Sequence, residues 1–162
     1  MARIKGGEKM PILEVNQLQK SFGDIHAVQG ISFSVEPGEV FTIIGPNGAG
    51  KTTTLEMIEG LMAPDTGEIH FGELNWKQHA IEIKKKIGVQ PQSSAMFDLL
   101  TPKENLDLFA SFYDKARSTA EILEIVNLTD HQNNQVKKLS GGQRQRLAIG
   151  LAMISDPEII FL

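Results

Sequence analysis

Val40-Phe41-Thr42-Ile43-Ile44-Gly45-Pro46-Asn47-Gly48-Ala49-Gly50-Lys51-Thr52-Thr53-Thr54-Leu55 decides the fold class. Its first five residues form a short, nearly continuous apolar run, the kind that is buried on both faces of a parallel sheet. From Lys51 onward the spacing of Leu55 and Ile58 suits a helix, which Gly60 ends as a C-terminal glycine. Between the predicted strand and helix, Gly45 to Thr52 spells G-x-x-x-x-G-K-[ST], in the context that this motif requires. The glycines let the backbone curl around a phosphate without a Cβ clash, so that successive N–H groups and the helix N-terminus point at the anion. Gly45, Pro46, Asn47, Gly48, Ala49 and Gly50 form that cradle, and Thr53 continues it into the helix. Lys51 adds a mobile positive charge for the terminal phosphates of a nucleotide, and Thr52 an oxygen for Mg2+. The four fixed positions recur by chance in roughly one chain in a hundred of this length. The flanking strand and helix make coincidence rarer still, and nucleotide binding is the expectation.

Working outward from this stretch, Ile12–Leu18 and Ile31–Val35 alternate apolar with polar residues around a turn at Gly23 and Asp24, which predicts an antiparallel opening sheet. Pro37 and Gly38 then turn the chain into the phosphate segment. On the other side, Gly67–Phe71 reads as a strand, Ile81–Lys86 as a helical turn and Ile87–Gln90 as another strand. Pro102 follows Thr101 at a plausible helix start, and Leu106, Phe109 and Phe112-Tyr113 recur at helical spacing. Ser118–Leu128 reads as a second helix capped by Ser118 or Thr119, with Glu121 and Glu124 favouring its dipole. After a polar stretch from Thr129 to Lys138, a helix begins near Ser140 and is apolar almost all round from Leu147 to Ile154. Ile159–Leu162 opens a fresh apolar strand. The pattern is α/β, with an N-terminal antiparallel β-subdomain and a helical insertion around a phosphate-loop core.

The 162 residues suffice for one compact domain. A net charge of -4 gives no global attraction to polyanions, so no nucleic-acid partner is expected. The absence of cysteine excludes thiolate metal sites, disulfides and cysteine nucleophiles. Met1–Pro11 lacks the apolar h-region of a secretory signal, and no window approaches the roughly 18 to 20 apolar residues of a membrane helix. Lys84-Lys85-Lys86 reads as a solvated face, and His26, His70, His79 and His131 show no metal-ligand spacing.

A phosphate loop alone leaves kinases, GTPases, helicases and transporters open. Leu139-Ser140-Gly141-Gly142-Gln143, followed by Arg144-Gln145-Arg146, resembles the signature sequence of ABC ATPases. By itself Ser140 is a good helix cap, and a serine-capped helix start with bare glycine N–H groups is also an anion site. The resemblance covers Ile12 to Leu162 and implies that the chain is an ATP-binding subunit of an ABC transporter. It implies one domain, with residues 1–11 as a tail, 12–92 as β-subdomain and phosphate-loop core, 93–139 as a mainly helical subdomain, and 140–162 as signature helix and start of the Walker B strand. It also implies head-to-tail pairing with a second ATP-binding subunit, so that Ser140, Gly141, Gly142 and Gln143 of one copy meet the γ-phosphate held by the other.

Further roles carry over by position. Phe22 falls where the family places an aromatic that stacks on adenine, a core phenylalanine being the alternative. Gln92, rather than Gln90, matches the Q-loop glutamine that reaches Mg2+ and the attacking water, with a plain loop amide as the alternative. Lys51 and Gln92 are the expected catalytic residues, and Thr52 and Gln92 the metal ligands. Met96, Phe97 and Leu99-Leu100 are candidates for contact with a transmembrane permease subunit, or for apolar core. The expected location is cytoplasmic, peripheral on the inner face of the cell membrane, with ATP and Mg2+ as cofactors.

Lys51–Leu55, Gly60-Leu61 and Asp98–Thr101 resemble the bacterial multidrug and antibiotic exporter branch. Rival readings are a soluble ABC ATPase of translation or DNA repair, and an inert truncated remnant. Ile159–Leu162 resembles the start of the Walker B strand, whose metal-binding aspartate and catalytic glutamate come next in the family. The chain as given is therefore expected to bind nucleotide without efficient hydrolysis and to expose apolar surface.

Overall fold

Burial along the first long strand runs Leu13, Val15, then Leu18, a slip of one residue in the alternation. Its cause is a bulge at Gln17, which adopts φ 47° and donates from both its backbone N–H and its side-chain amide to Ser32 Oγ, at 2.8 and 3.0 Å. The computed structural model describes residues 4–5, 8–90 and 96–162, which divide into two units at 83/84.

In the first unit, β1 (Ile4–Lys5) and β2 (Glu8–Lys9) form a small antiparallel pair within the expected tail. β3 (Leu13–Phe22) and β4 (Ile25–Val35) pair antiparallel across the predicted turn and run longer than expected. β5 (Thr66–Phe71) joins the other edge of β3, and β6 (Leu74–Asn75), which was not expected, completes the order β4-β3-β5-β6. Leu13, Val15, Leu18, Met57, Ile58 and Ile83 are among its buried side chains. Each contributes about 1.5–3 kcal/mol relative to exposure.

α1 (Lys51–Ile58) ends in a Schellman arrangement, with Leu61 N–H on Glu56 O at 2.8 Å and Gly60 N–H on Met57 O at 3.2 Å. Gly60 takes φ +73°, and a Cβ there would stand 2.7 Å from the ring of Trp76, whose indole N–H donates to Ile58 O at 2.9 Å. Only glycine meets both conditions. α2 (Trp76–Lys86) is longer than the helical turn expected and breaks at His79, with φ -127° and ψ 28°.

The expected strand Val40–Ile44 is corrected by the structure. It forms no ladder with any described residue, and Val40 and Ile44 are 92% and 89% exposed. Phe41 stacks on Phe33 of β4 with ring centroids 4.7 Å apart, and Ile43 is half-buried. An apolar run says that both faces can be buried, but a strand exists only through pairing, and no described residue supplies it.

In the second unit, β7 (Ile87–Val89) and β8 (Ile159–Phe161) pair in parallel. α3 (Pro102–Ala110) starts with a capping box between Thr101 and Glu104 and with proline in its first turn. α4 (Thr119–Ile125) uses Ser118 as its cap. It stops short of the predicted Leu128 because Asn127 turns left-handed at φ 53°, which returns Leu128 to the core. α5 (Gly141–Met153) buries Leu147, Gly150 and Ala152, with Ile154 following, while Ala148, Ile149, Leu151 and Met153 stay partly exposed. Its coverage within this unit is thus narrower than its apolar sequence. Leu106, Ile122, Leu128, Val136, Leu147 and Ile154 are fully buried together, and a Cβ at Gly150 would come within 2.9 Å of Ile122 Cγ2.

Candidate functional site

A glycine is required at Gly50 twice over. It adopts φ +80°, and a Cβ there would lie 2.2 Å from the carbonyl oxygen of Ala27. The phosphate loop is therefore pressed against β4. Gly48, at φ +83°, turns the loop, and Ala49 N–H closes it on Pro46 O at 3.2 Å. α1 starts here with no side-chain cap and no acidic residue in its first turn, so the positive end of its dipole is offset by no carboxylate of its own. Lys51 Nζ folds back to donate to Gly45 O at 2.9 Å and Pro46 O at 2.8 Å. A phosphate entering the loop would exchange with these two neutral acceptors for the same ammonium. Gly45 and Gly50 are half-buried, Pro46, Asn47, Gly48, Ala49 and Thr52 exposed, and Thr53 half-buried.

Phe22 ends β3 opposite Ile25, and at 47% exposure it is not a core residue. Ala27, the residue that Gly50 touches, is two positions from Ile25, about 7 Å along the strand. One unit thus brings Phe22 and the phosphate loop to the same end of the β3–β4 hairpin. Beside them stands Lys20, which sequence reasoning passed over. Its ammonium lies 5.8 Å from the Phe22 ring centroid and donates to Asp65 Oδ1 at 2.8 Å and Ala63 O at 2.9 Å. Lys20 and Phe22 share a strand face at a spacing of two, a signal that was available. Asp65 accepts from Ser21 N–H with its other oxygen at 2.8 Å, and its carboxyl is held below the usual range first by Lys20 and then by that N–H.

In the second unit, Ser140 Oγ accepts from Gln143 N–H at 3.3 Å while Gln143 Oε1 accepts from Ser140 N–H at 2.8 Å. Gly141 and Gly142 are exposed, and a Cβ on either would meet no atom within 4 Å. Among the described residues, none requires them to be glycine. Arg144 ties α5 to the segment before α3 through Asp98, at 3.2 Å.

Gln92 lies outside the described residues. Gln90 accepts from Gln145 Nε2 at 3.4 Å. Met96 packs partly against the core, whereas Phe97 and Leu99 are exposed and Leu100 is half-buried. That segment is held by fully buried Asn105, which accepts from Phe97 N–H at 2.9 Å and donates to Phe97 O and Thr101 O at 3.2 and 3.0 Å. Sequence reasoning missed Asn105; its signal was an amide beside Leu106 in a helix read for its apolar spacing. No helix among the described residues is long and apolar enough to cross a membrane.

The chain is similar to the linearmycin resistance ATP-binding protein LnrL of Bacillus subtilis (strain 168), 37% identical over 93% of this chain and 50% of that protein. The Nod factor export ATP-binding protein I of Ralstonia nicotianae is 36% identical over 94% of this chain and 49% of its own length. The spermidine/putrescine import ATP-binding protein PotA of Chromobacterium violaceum is 40% identical over 94% and 44%. The chain spans about half the length of the curated relatives it matches. Among solved structures, the ADP conformation of MJ1267, an ATP-binding cassette of an ABC transporter, matches with a TM-score of 0.79 and 30% identity over 93% of this chain and 67% of that one. The dimeric post-hydrolysis state of the cassette MJ0796, bound to ADP and Pi, matches with a TM-score of 0.73 and 31% identity over 91% and 72%. The fold is therefore the phosphate-loop α/β core with antiparallel and helical subdomains that the sequence predicted. The family model described as ABC transporter matches residues 28–162, and this chain belongs to that family as its nucleotide-binding domain.

Proposed function

We propose that the chain is the nucleotide-binding part of a transporter's ATPase subunit, in which ATP draws two copies together head to tail and hydrolysis releases them, driving a transmembrane permease subunit. The observation that carries this reading is the exposed pair Gly141 and Gly142 at a serine-capped helix start, where an added Cβ would meet no atom of the described residues within 4 Å. In a paired arrangement their bare N–H groups and Ser140 Oγ complete the shell of a γ-phosphate held by Gly45–Thr53 of the other copy. ADP lacks that phosphate, so nucleotide state becomes association state. The dimeric state of the similar cassette, bound to both ADP and Pi, supports pairing of two copies.

The loop fits a nucleotide triphosphate. The first turn of its helix contains no acidic residue, and its lysine donates to two neutral carbonyls, Gly45 O and Pro46 O. Among the described residues no group of three or more His, Asp and Glu side chains is placed to hold a metal. Mg2+ would be held, as the family resemblance implies, by Thr52 and Gln92 together with phosphate oxygens, and would screen phosphate charge. Lys51 stabilises charge on the transferred group, and Gln92 orients the water. Phe97 and Leu99, on the segment that Asn105 holds, face a permease at the inner side of a membrane, with the subunit itself in the cytoplasm. Export is supported by Asp98–Thr101 and by the name of the Nod factor export relative; since an import protein is at least as similar by identity, the direction rests mainly on that motif.

The test is MgATP binding by calorimetry together with association by light scattering in the whole protein. The parent should bind MgATP and dimerise with it, and Lys51→Ala should lose at least about tenfold in affinity, 1.4 kcal/mol. A parent that binds MgATP no better than inorganic phosphate would refute the reading.

A further inference from the structure

We propose that Lys20 is a positioning residue for the nucleotide base, acting through Phe22. The inference rests on the reading of Phe22 as the base platform and adds a residue to it. β3 ends with Lys20-Ser21-Phe22, and the Lys20 ammonium lies over the Phe22 ring at 5.8 Å from its centroid.

The ammonium is not a wandering surface charge. Asp65 Oδ1 at 2.8 Å and Ala63 O at 2.9 Å each accept from it, and the side chain is only 17% exposed. Asp65 is itself fixed to the same strand, through Ser21 N–H on Oδ2 at 2.8 Å and its own N–H on Gln19 O at 3.0 Å. One carboxylate therefore locks both the backbone at Ser21 and the cation beside the next ring.

Two consequences follow for that ring. A phenylalanine at a hairpin end would otherwise sample several rotamers; an ammonium fixed over it favours one, so less freedom is lost when a base stacks. The cation also draws π density toward the face it covers, which lessens repulsion between the opposite face and the π cloud of an electron-rich purine. The partner of this device is a planar base rather than a phosphate, since the ammonium already has two oxygen acceptors and its approach to Phe22 is through the ring.

The experiment compares two ligands on the whole protein by calorimetry, MgATP and magnesium tripolyphosphate, the latter lacking ribose and base. The variants are Phe22→Ala, Lys20→Met and Lys20→Arg. Lys20→Met should weaken MgATP about two- to fivefold and leave tripolyphosphate unchanged, while Lys20→Arg, which keeps a cation over the ring, should stay near the parent. Unchanged tripolyphosphate affinity also certifies that the variant is folded. If Phe22→Ala weakens MgATP selectively and Lys20→Met does not, the proposal is overturned and the platform reading stands. If Phe22→Ala has no selective effect, the platform reading fails and takes the proposal with it. If Lys20→Met weakens both ligands alike, its role is structural and the proposal is again overturned.

Discussion

Replacing Gly141 and Gly142 together by alanine should stabilise the folded protein while impairing what it does. Neither position has a positive φ, and among the described residues an added Cβ meets nothing within 4 Å at either. Alanine at such a site gains about 0.4–1 kcal/mol, chiefly by restricting the unfolded chain. The pair is thus worth about 1–2 kcal/mol, which for a protein of this size raises Tm by about 2–8 °C. Ser140→Ala, one residue earlier, removes the cap that Gln143 N–H uses and should move stability the other way by about 1 kcal/mol. The assay has two arms, thermal unfolding without nucleotide and ATP-dependent association with phosphate release. Methyl groups where the backbone should approach a phosphate ought to cut association at least about tenfold, 1.4 kcal/mol. A destabilised double variant would show that the space around α5's start is not open. A stabilised variant that still associates with ATP within twofold of the parent would refute the paired-site reading, because the glycines would then serve no contact outside their own chain.

Gly60→Ala should lower stability by about 2–4 kcal/mol, combining left-handed strain with a clash that pushes Trp76 off Ile58 O. Denaturant unfolding measures it, and adding Trp76→Leu should recover part of the loss if the clash is the cause. Glu104 supplies a pH test: its carboxyl is held below the usual range by Thr101 N–H and then by the Thr101 hydroxyl. A depressed folded value means that its stabilisation is complete above the ordinary glutamate pKa of about 4.3 and is lost as pH falls through the lower folded value. The stability gap between the parent and Glu104→Gln should therefore be widest near neutrality and close in acid; a gap independent of pH would contradict the assignment.

Helix starts were legible because their chemistry is local. Thr101, Ser118 and Ser140 each cap the helix that follows, and Glu104 and Gln143 complete capping boxes within three residues. The phosphate loop was legible largely for the same reason, since Gly48 turns it and Lys51 answers to Gly45 and Pro46 of the same turn, although the contact of Gly50 with Ala27 was not. Non-local devices were not. The run Val40–Ile44 advertised a strand, but pairing is decided by a partner elsewhere in the chain. Lys20 and Asp65 meet across 45 residues, and Asn105 is recognisable as a clamp only once Phe97 and Thr101 are seen to surround it. The exposure of Phe22, which separates a platform from a core residue, depends on where the β3–β4 hairpin ends, and that hairpin proved longer than its alternation suggested.

The close approach of Gly50 to Ala27 also bears on how such a sequence can drift. The contact is made by a main-chain oxygen on one side and by the absence of a side chain on the other. Position 27 is therefore judged on whether it extends β4 and fits its own half-buried surroundings, and substitutions there that do both are invisible to the loop, whereas position 50 tolerates none. Two residues that touch thus evolve under unrelated constraints, and a search for correlated substitutions between them would find nothing, although their contact sets where the phosphate loop sits.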